Sequence, residues 1–422
     1  MQVILGILGF IFVMGLAVLV HEIGHFLTAR KFGVLCHEFA IGMGPILWKK
    51  RKGETLYTIR AIPIGGFVSM GMEEGERDVF KEGSEIGLTL DHDGNVVKMH
   101  FQPEEGQIAA TLISNTVDVS ANLQVTVEVA GERKVYPVDR EAWYVDSKAN
   151  RELQIVPTDR RLESKPKRQR FVVMVAGAVM NFILAYILVL IVGAFRGEVV
   201  ALTTSLDAVE PGMPAYEAGL LAGDQLVAID GVAITNDTHV RFLSGDATMV
   251  EFIRDGSRQQ LYVTPMEQDG RYVVGISILF EQEFERSFAG TFRFANFQFR
   301  NGFMLIIDTL RMLGTGEVGV DQLSGPVGIA YVTSHFAVQG ILPLLIFASI
   351  ININLGIFNL LPLPALDGGH ITFIVIEAII GKPVSPKIQH RVAIVGLVLF
   401  MGLFVFTFFN DIFRFFIGGY GG

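Results

Sequence analysis

The sequence predicts an α-helical membrane protein with four transmembrane helices, a membrane-associated β-hairpin sheet, an inserted mostly-β cytoplasmic module and one small extracytoplasmic domain. Three observations carry that reading. The chain has 422 residues, half of them hydrophobic and only 18% charged, with 33 phenylalanines, which is the balance of a membrane protein bearing soluble parts. Apolar runs long enough to cross a bilayer begin near residues 3, 171, 341 and 393. Between them lie stretches of strand-like alternation and of ordinary soluble composition. A formal net charge of −9 argues against nucleic acid as a partner, and the single cysteine, Cys36, excludes an internal disulfide and a thiolate metal cluster.

The first element, residues 1–32, is an apolar helix whose run from Val3 to Val20 leads into His21-Glu22-Ile23-Gly24-His25 and closes on Arg30 and Lys31. It has no basic leader and no small-x-small cleavage site, so it reads as a retained span and not a signal peptide. Residues 33–72 alternate as strands, as in Leu56-Tyr57-Thr58-Ile59-Arg60-Ala61-Ile62, with glycines at 42, 44, 65 and 66 read as hairpin turns. Open strand edges are not tolerated in lipid, so this sheet is expected to pack on the helices or on itself. Residues 73–165 turn charged and polar, with turn signals at Asp93-Gly94-Asn95 and Ala130-Gly131-Glu132 and a β-hairpin expected from Leu123 to Val138.

A basic run from Lys165 to Arg170 opens the second span, residues 166–197, in which Ala176-Gly177-Ala178 and Asn181 make a small-residue face. Small residues let helices approach closely in lipid, and Asn181 suits an interhelical hydrogen bond better than catalysis. Residues 198–280 form a discrete domain, from Glu210-Pro211-Gly212-Met213-Pro214-Ala215 through Ala218-Gly219-Leu220 to Gly223-Asp224-Gln225-Leu226 and Asp230-Gly231. This order resembles a PDZ domain of the bacterial periplasmic kind, which implies either peptide capture by strand addition or a steric filter. Residues 281–340, rich in Phe and Arg, read as an amphipathic segment that lies at the membrane interface or against the PDZ-like domain.

The third span, within residues 341–380, is interrupted by Asn352, Asn354 and Asn359 and breaks at Leu361-Pro362-Leu363-Pro364-Ala365-Leu366-Asp367-Gly368-Gly369-His370. Residues 381–422 carry Lys382, Lys387 and Arg391 and then a fourth span from Ala393 to Phe416. The basic clusters at 30–31, 49–52, 165–170 and 382–391 place those loops in the cytoplasm, so both termini and the PDZ-like domain are expected outside.

Two histidines at i and i+4 project from one helix face and reach a single metal, and the glutamate beside the first supplies a general base. A hydrolytic zinc site takes three protein ligands and leaves one position for water. His21 and His25 provide two, and Asp367 is the best candidate for the third, since spans one and three both descend to the same cytoplasmic-side depth. Histidine with carboxylate also accommodates iron or cobalt, zinc being the usual choice. His37 and Glu38 fit a structural role, His335 and His390 stand alone, and His370 follows the Asp367 loop.

The pentad, the hairpin ending Ile62-Pro63-Ile64-Gly65-Gly66-Phe67-Val68, the small-residue face with Asn181, the PDZ-like domain, Leu323-Ser324-Gly325-Pro326-Val327-Gly328, and Asn359 to Gly369 occur in one order along the chain. Together they resemble the bacterial site-2 proteases, in the branch with one PDZ-like domain. The resemblance implies intramembrane zinc proteolysis of single-span substrates such as anti-sigma factors or signal-peptide remnants, after a first cut by a site-1-type protease, at the cytoplasmic membrane. It makes His21, His25 and Asp367 the zinc ligands and Glu22 the base, with Asn359 and the Pro362 and Pro364 loop contacting substrate. One departure is Ala178, where the family commonly has proline. Two other classes compete: a membrane metal transporter, and a PDZ scaffold with a structural metal site.

Overall fold

In the computed structural model, residues 2–71, 83–114, 123–147, 151–234, 246–268, 271–364 and 366–414 are described. The helices are α1 (Gln2–Lys31), α2 (Lys167–Arg196), α3 (Pro214–Glu217), α4 (Phe288–Thr315), α5 (Pro326–Gln339), α6 (Ile341–Leu360), α7 (Asp367–Ile380) and α8 (Pro386–Phe413). Four of them contain apolar stretches long enough to cross a bilayer: Leu5–Lys31, Lys167–Arg196, Ile341–Leu360 and Lys387–Phe413. The last helix starts earlier than the sequence suggests, because Pro386 occupies its first turn, where a missing N–H costs nothing. Its expected end at Phe416 lies outside the described residues. The chain divides into two compact units, Met1–Val189 with Gln298–Gly422, and Leu190–Phe297.

In the first unit, α1 leads into strands β1 (Cys36–Lys52) and β2 (Thr55–Met70). The start of β1 is sandwiched between both halves of β2: Phe39 pairs with Tyr57 on one side and Val68 on the other, and Ile41 with Ile59 and Gly66. The end of β1, Lys49 to Lys52, pairs back onto Thr58 to Thr55. Gly42, Gly44 and Gly65 have φ of +85°, +81° and +84° and bend the strands in mid-course, so they are not the hairpin turns expected of them. The reversal is at Gly53, φ +62°. Folding the strands double satisfies the interior segments on both sides and leaves fewer open edges.

Phe26 and Ala29 of α1, Cys36 and Phe39 of β1, Val173 and Met174 of α2, and Ile374 of α7 form one buried cluster. This cluster ties the pentad helix to the strands, the second span and the helix that begins at Asp367. Phe26 and Phe39 rings lie 5.2 Å apart, and Tyr57 tilts onto both. Burial pushes the Cys36 thiol up to about 12, so it holds no thiolate near neutrality. Iodoacetamide at about pH 8 is therefore expected to leave Cys36 unmodified in the folded protein and to label it after denaturation, as read by mass spectrometry. Labelling of the native protein at the rate of a free thiol would contradict the packing.

The inserted module is a six-stranded sheet, β4 (Val96–His100), β3 (Glu85–Leu90), β5 (Ile108–Ser114), β6 (Gln124–Val129), β7 (Glu132–Asp146) and β8 (Arg151–Gln154), in that spatial order. Parallel pairing of β4 with β7 closes five of the strands into a small barrel around Ile86, Leu88, Met99, Val125, Val127 and Tyr144. The β6–β7 hairpin expected from Leu123 to Val138 is present, its turn built on Ala130 (φ 51°) and Gly131 (φ 84°). The module grips the β1–β2 turn through a two-pronged Arg160–Glu54 ion pair and through Arg51 stacked 4.5 Å over Trp143.

The second unit is built on β9 (Glu198–Val209), β10 (Gln225–Ile229), β11 (Val232–Ala233), β12 (Thr248–Arg254), β13 (Ser257–Val263), the small β14 (Met266–Gln268) and β15 (Arg271–Val273) pair, and β16 (Ile276–Glu285). The sheet runs β13-β12-β10-β9-β16 with β11 added beside β10, over a core of Leu206, Leu220, Leu226, Val250, Phe252 and Val263. The Asp230-Gly231 turn has positive φ at both residues, 49° and 73°. Buried Asp224 is held by Arg254, with Nε to Oδ1 at 2.7 Å.

The sequence leaves residues 281–340 undivided, whereas the structure resolves them mainly into α4 and the separate α5. In the first unit α5 packs on the N-terminal half of α1, close enough that a Cβ on Gly9 would lie 3.1 Å from Ala337 Cβ. Buried Asp411 at the end of α8 accepts the backbone N–H groups of Gly325 and Gly328, at 3.1 and 2.7 Å, and so caps the start of α5. That cap depends on a residue more than eighty positions away, which local sequence does not reveal.

Candidate metal centre

The pentad sits well inside α1, where i and i+4 spacing brings His21 and His25 to one face, their ring centroids 4.7 Å apart. Both are buried, at 8% and 5% exposure. Asp367 arrives from the other end of the chain as the first residue of α7, after the helix break that Pro362 and Pro364 impose. Gly368 and Gly369 follow because the start of α7 presses on the loop: a Cβ on Gly368 would lie 2.6 Å from the Leu361 carbonyl carbon, and one on Gly369 2.7 Å from Leu363 O. The glycines are required by close approach and not by an unusual φ. Pro364 in turn is covered by Gly396 of α8, whose Cβ would lie 2.8 Å from the Pro364 carbonyl.

Three atoms meet. Asp367 Oδ2 lies 3.1 Å from His21 Nε2 and 3.1 Å from His25 Nε2, and the two nitrogens are 3.1 Å apart. Zinc bonds of about 2.0–2.1 Å at tetrahedral angles set ligand atoms about 3.3 Å apart, so the triangle has the right size. His25 Nδ1–H donates to the Val173 carbonyl at 2.8 Å, which leaves Nε2 as a lone pair facing the carboxylate. Asp367 Oδ2 is buried and has no hydrogen-bond donor among the described residues. Lone pairs converging on one point are repulsive unless a cation sits between them, so these residues fit a metal. Among the described residues no fourth His, Cys, Asp or Glu joins the three, which leaves a coordination position for water.

The second span frames the site. A Cβ on Gly177 would lie 2.6 Å from His21 Cε1 and 2.8 Å from its Nε2, so only glycine lets α2 pass under both imidazoles. Gly24, inside the pentad, does the same for α1: its Cβ would lie 2.7 Å from the Ala176 carbonyl carbon. Sequence reasoning assigned Gly177 to helix packing alone; the signal it passed over is that the glycine lies at the depth of the pentad. Ala178, the departure from the family pattern, is fully buried in an unbroken helix.

Asn181 is fully buried with its carboxamide 3.3 Å from His21 Nδ1. A half-turn of the amide, which exchanges two atoms of equal size, presents its oxygen to an Nδ1–H and leaves Nε2 for metal. Asn181 thus orients a histidine, a role beyond the helix-to-helix bond expected of it. Asn181→Ala is expected to weaken zinc binding about 10- to 100-fold, measured by competition with a coloured chelator, with little change in thermal stability. A drop in melting temperature at unchanged zinc affinity would return Asn181 to a packing role.

Glu22 lies between the triangle and β2, within electrostatic reach of His21, His25 and Asp367, and its carboxylate accepts a hydrogen bond from the Val68 backbone. Gly66 of β2 packs in ordinary contact with Glu22 Cγ, its Cβ position 3.6 Å away, and is held to glycine by the Ala40 carbonyl oxygen at 2.7 Å. Asn359 is buried near the end of α6, and its side chain makes no hydrogen bond among the described residues. Pro362 is exposed and Pro364 half-buried on the loop between α6 and α7. Glu38 is taken up by Arg60 and Thr58, both at 2.6 Å, and His370 and His390 are exposed. One further pair stabilises the frame: Arg170 of α2 bonds Glu377 of α7 at 2.8 Å, with Lys167 on the Glu377 carbonyl at 3.1 Å. This pair references the aspartate helix to the first turn of α2, as the His25 bond to the Val173 carbonyl references the histidine helix.

The model of peptidase family M50 matches residues 9–403. The chain is 36% identical to a zinc metalloprotease RasP of Shouchella clausii over 97% of its own length and 99% of that protein. It is 34% identical to the regulator of sigma-W protease RasP of Bacillus subtilis, with 97% and 99% covered. A putative zinc metalloprotease of Staphylococcus aureus shares 31% identity over 99% of this chain and all of that one.

Proposed function

Because the chain belongs to peptidase family M50 and is a zinc metalloprotease with four membrane-spanning helices, we propose that it cuts peptide bonds inside the transmembrane segment of single-span substrates. The observation that supports this most directly is the convergence of His21, His25 and Asp367 on one buried point among those helices. In this reading the three residues hold the zinc, which when bound acidifies a water and polarises the scissile carbonyl. Glu22 takes the proton of that water and passes it to the departing amine, while the Val68 N–H keeps its carboxylate aimed.

A helical substrate hides its amides in its own hydrogen bonds, so it must be drawn out before it is cut. Asn359, whose side chain has no hydrogen-bond partner among the described residues, offers a carboxamide to the freed backbone, and the Pro362 and Pro364 loop holds the chain extended beside it. The bent edge of β2 near Gly66, beside Glu22, offers strand pairing to the same extended chain. The basic clusters set these elements on the cytoplasmic side, with both termini and the second unit outside. The second unit acts as a PDZ-like domain that admits substrates already shortened by another protease. Anti-sigma factors and signal-peptide remnants are the substrate classes of this scheme, in line with the sigma-W name of the Bacillus subtilis relative.

The test is cleavage of a single-span peptide by the purified full-length protein in detergent. Cuts are expected within the apolar segment, abolished by a chelator and restored by zinc. Cleavage that survives complete zinc removal, or that falls only outside the apolar segment, would overturn the proposal.

A further inference from the structure

Away from the metal centre, a cavity of about 700 Å³ opens between the β1–β2 sheet and β8, lined by the cations Lys49, Arg51 and Arg60 and by apolar Ile46 and Leu56. Its two carboxylates are already engaged, Glu38 with Arg60 at 2.6 Å and Glu152 with Lys98 at 3.8 Å. Lys49, Lys50 and Lys52, in contrast, make no ion pair among the described residues and are exposed. The cavity wall therefore carries unspent positive charge at Lys49, and Lys50 and Lys52 continue it along the same exposed strand end, outside the cavity lining.

The same strands carry the opposite character a few residues earlier. Met43, Leu47 and Trp48 of β1 are 52%, 70% and 49% exposed, and Ile59 and Ile62 beside them in β2 are 44% and 49% exposed. Along β1 the order is apolar, then tryptophan, then four consecutive cations, Lys49-Lys50-Arg51-Lys52. That is the profile of a surface crossing from acyl chains through the interface to headgroups. A small soluble anion would satisfy the cations and leave the apolar residues facing water, whereas an amphipathic anion satisfies both.

We propose that this end of the β1–β2 sheet is a binding site for an anionic phospholipid, with the phosphate at Lys49, Lys50 and Lys52 and the acyl chains along Leu47 and Trp48. The proposal rests on the helices being in a bilayer and not on the protease chemistry. Each exposed cation beside a headgroup contributes about fivefold in affinity, so three contribute on the order of a hundredfold.

The full-length protein in detergent is titrated with phosphatidylglycerol, with phosphatidylcholine of the same chains and with glycerol phosphate, and bound lipid is counted by native mass spectrometry. Phosphatidylglycerol is expected to bind at least tenfold more tightly than phosphatidylcholine. The K49Q/K50Q/K52Q variant is expected to lose that preference, and K49R/K50R/K52R to keep it, with zinc content unchanged in both. Equal binding of the two lipids, or a preference that survives in the glutamine variant or vanishes in the arginine variant, would overturn the proposal. Displacement of phosphatidylglycerol by an equal concentration of glycerol phosphate would overturn it in favour of a soluble anion.

Discussion

Glu22→Gln is expected to give a folded, zinc-loaded protein that cleaves its substrate at least about a thousandfold more slowly, within the range general bases contribute. The substitution keeps the size of the side chain and its hydrogen bond from Val68, and Glu22 is not one of the three converging donors. What changes is the ability to accept a proton, which an amide lacks. The measurement pairs zinc content by elemental analysis with the cleavage rate of a single-span peptide. Full activity in Glu22→Gln would remove the general base from the mechanism. Loss of zinc together with activity would show that Glu22 acts on the metal and not on water.

Gly177→Ala should abolish zinc binding, although alanine in place of glycine ordinarily favours a helix by about 0.5–1 kcal/mol. The new methyl would sit 2.6 Å from His21 Cε1 and 2.8 Å from His21 Nε2, and against His25 Nε2 as well. The helices cannot separate to make room without losing the contact of Gly24 with the Ala176 backbone. The imidazoles therefore have to turn, and a ligand displaced by an ångström no longer shares a metal with its neighbours. Gly15→Ala, where nothing lies within 4 Å of the added carbon, is the control and is expected to keep full zinc content. Retention of zinc by Gly177→Ala would show that the second span yields where the geometry says it does not.

The pentad is visible in sequence because its logic is local: five residues of helix suffice to align two imidazoles and set a carboxylate beside them. The four spans and the β6–β7 hairpin are visible for the same reason, since apolar length and strand alternation are short-range signals. Asp367 could be named because a carboxylate beside two prolines and two glycines at membrane depth needs a partner. The glycines of β1 and β2 misled, because a positive-φ glycine bends a strand and turns a hairpin by the same local conformation, and only the register separates the two.

What remained hidden depends on distant pairing. Parallel pairing of β4 with β7 closes the barrel, and Asp411 caps a helix that starts more than eighty residues before it. Asn181 and Gly177 read as helix packing until the structure set them against the histidines. The sequence by itself determined the chemistry on offer: a candidate donor set, a carboxylate beside it and four apolar stretches long enough to cross a bilayer. Tertiary structure alone decided that three donors separated by some 340 residues stand 3.1 Å apart, with a glycine-lined helix beneath and two hydrogen bonds aiming the imidazoles. Ligand identity is a property of single residues, whereas a metal centre is a set of distances, and distances between helices are set by side-chain volume at their contacts.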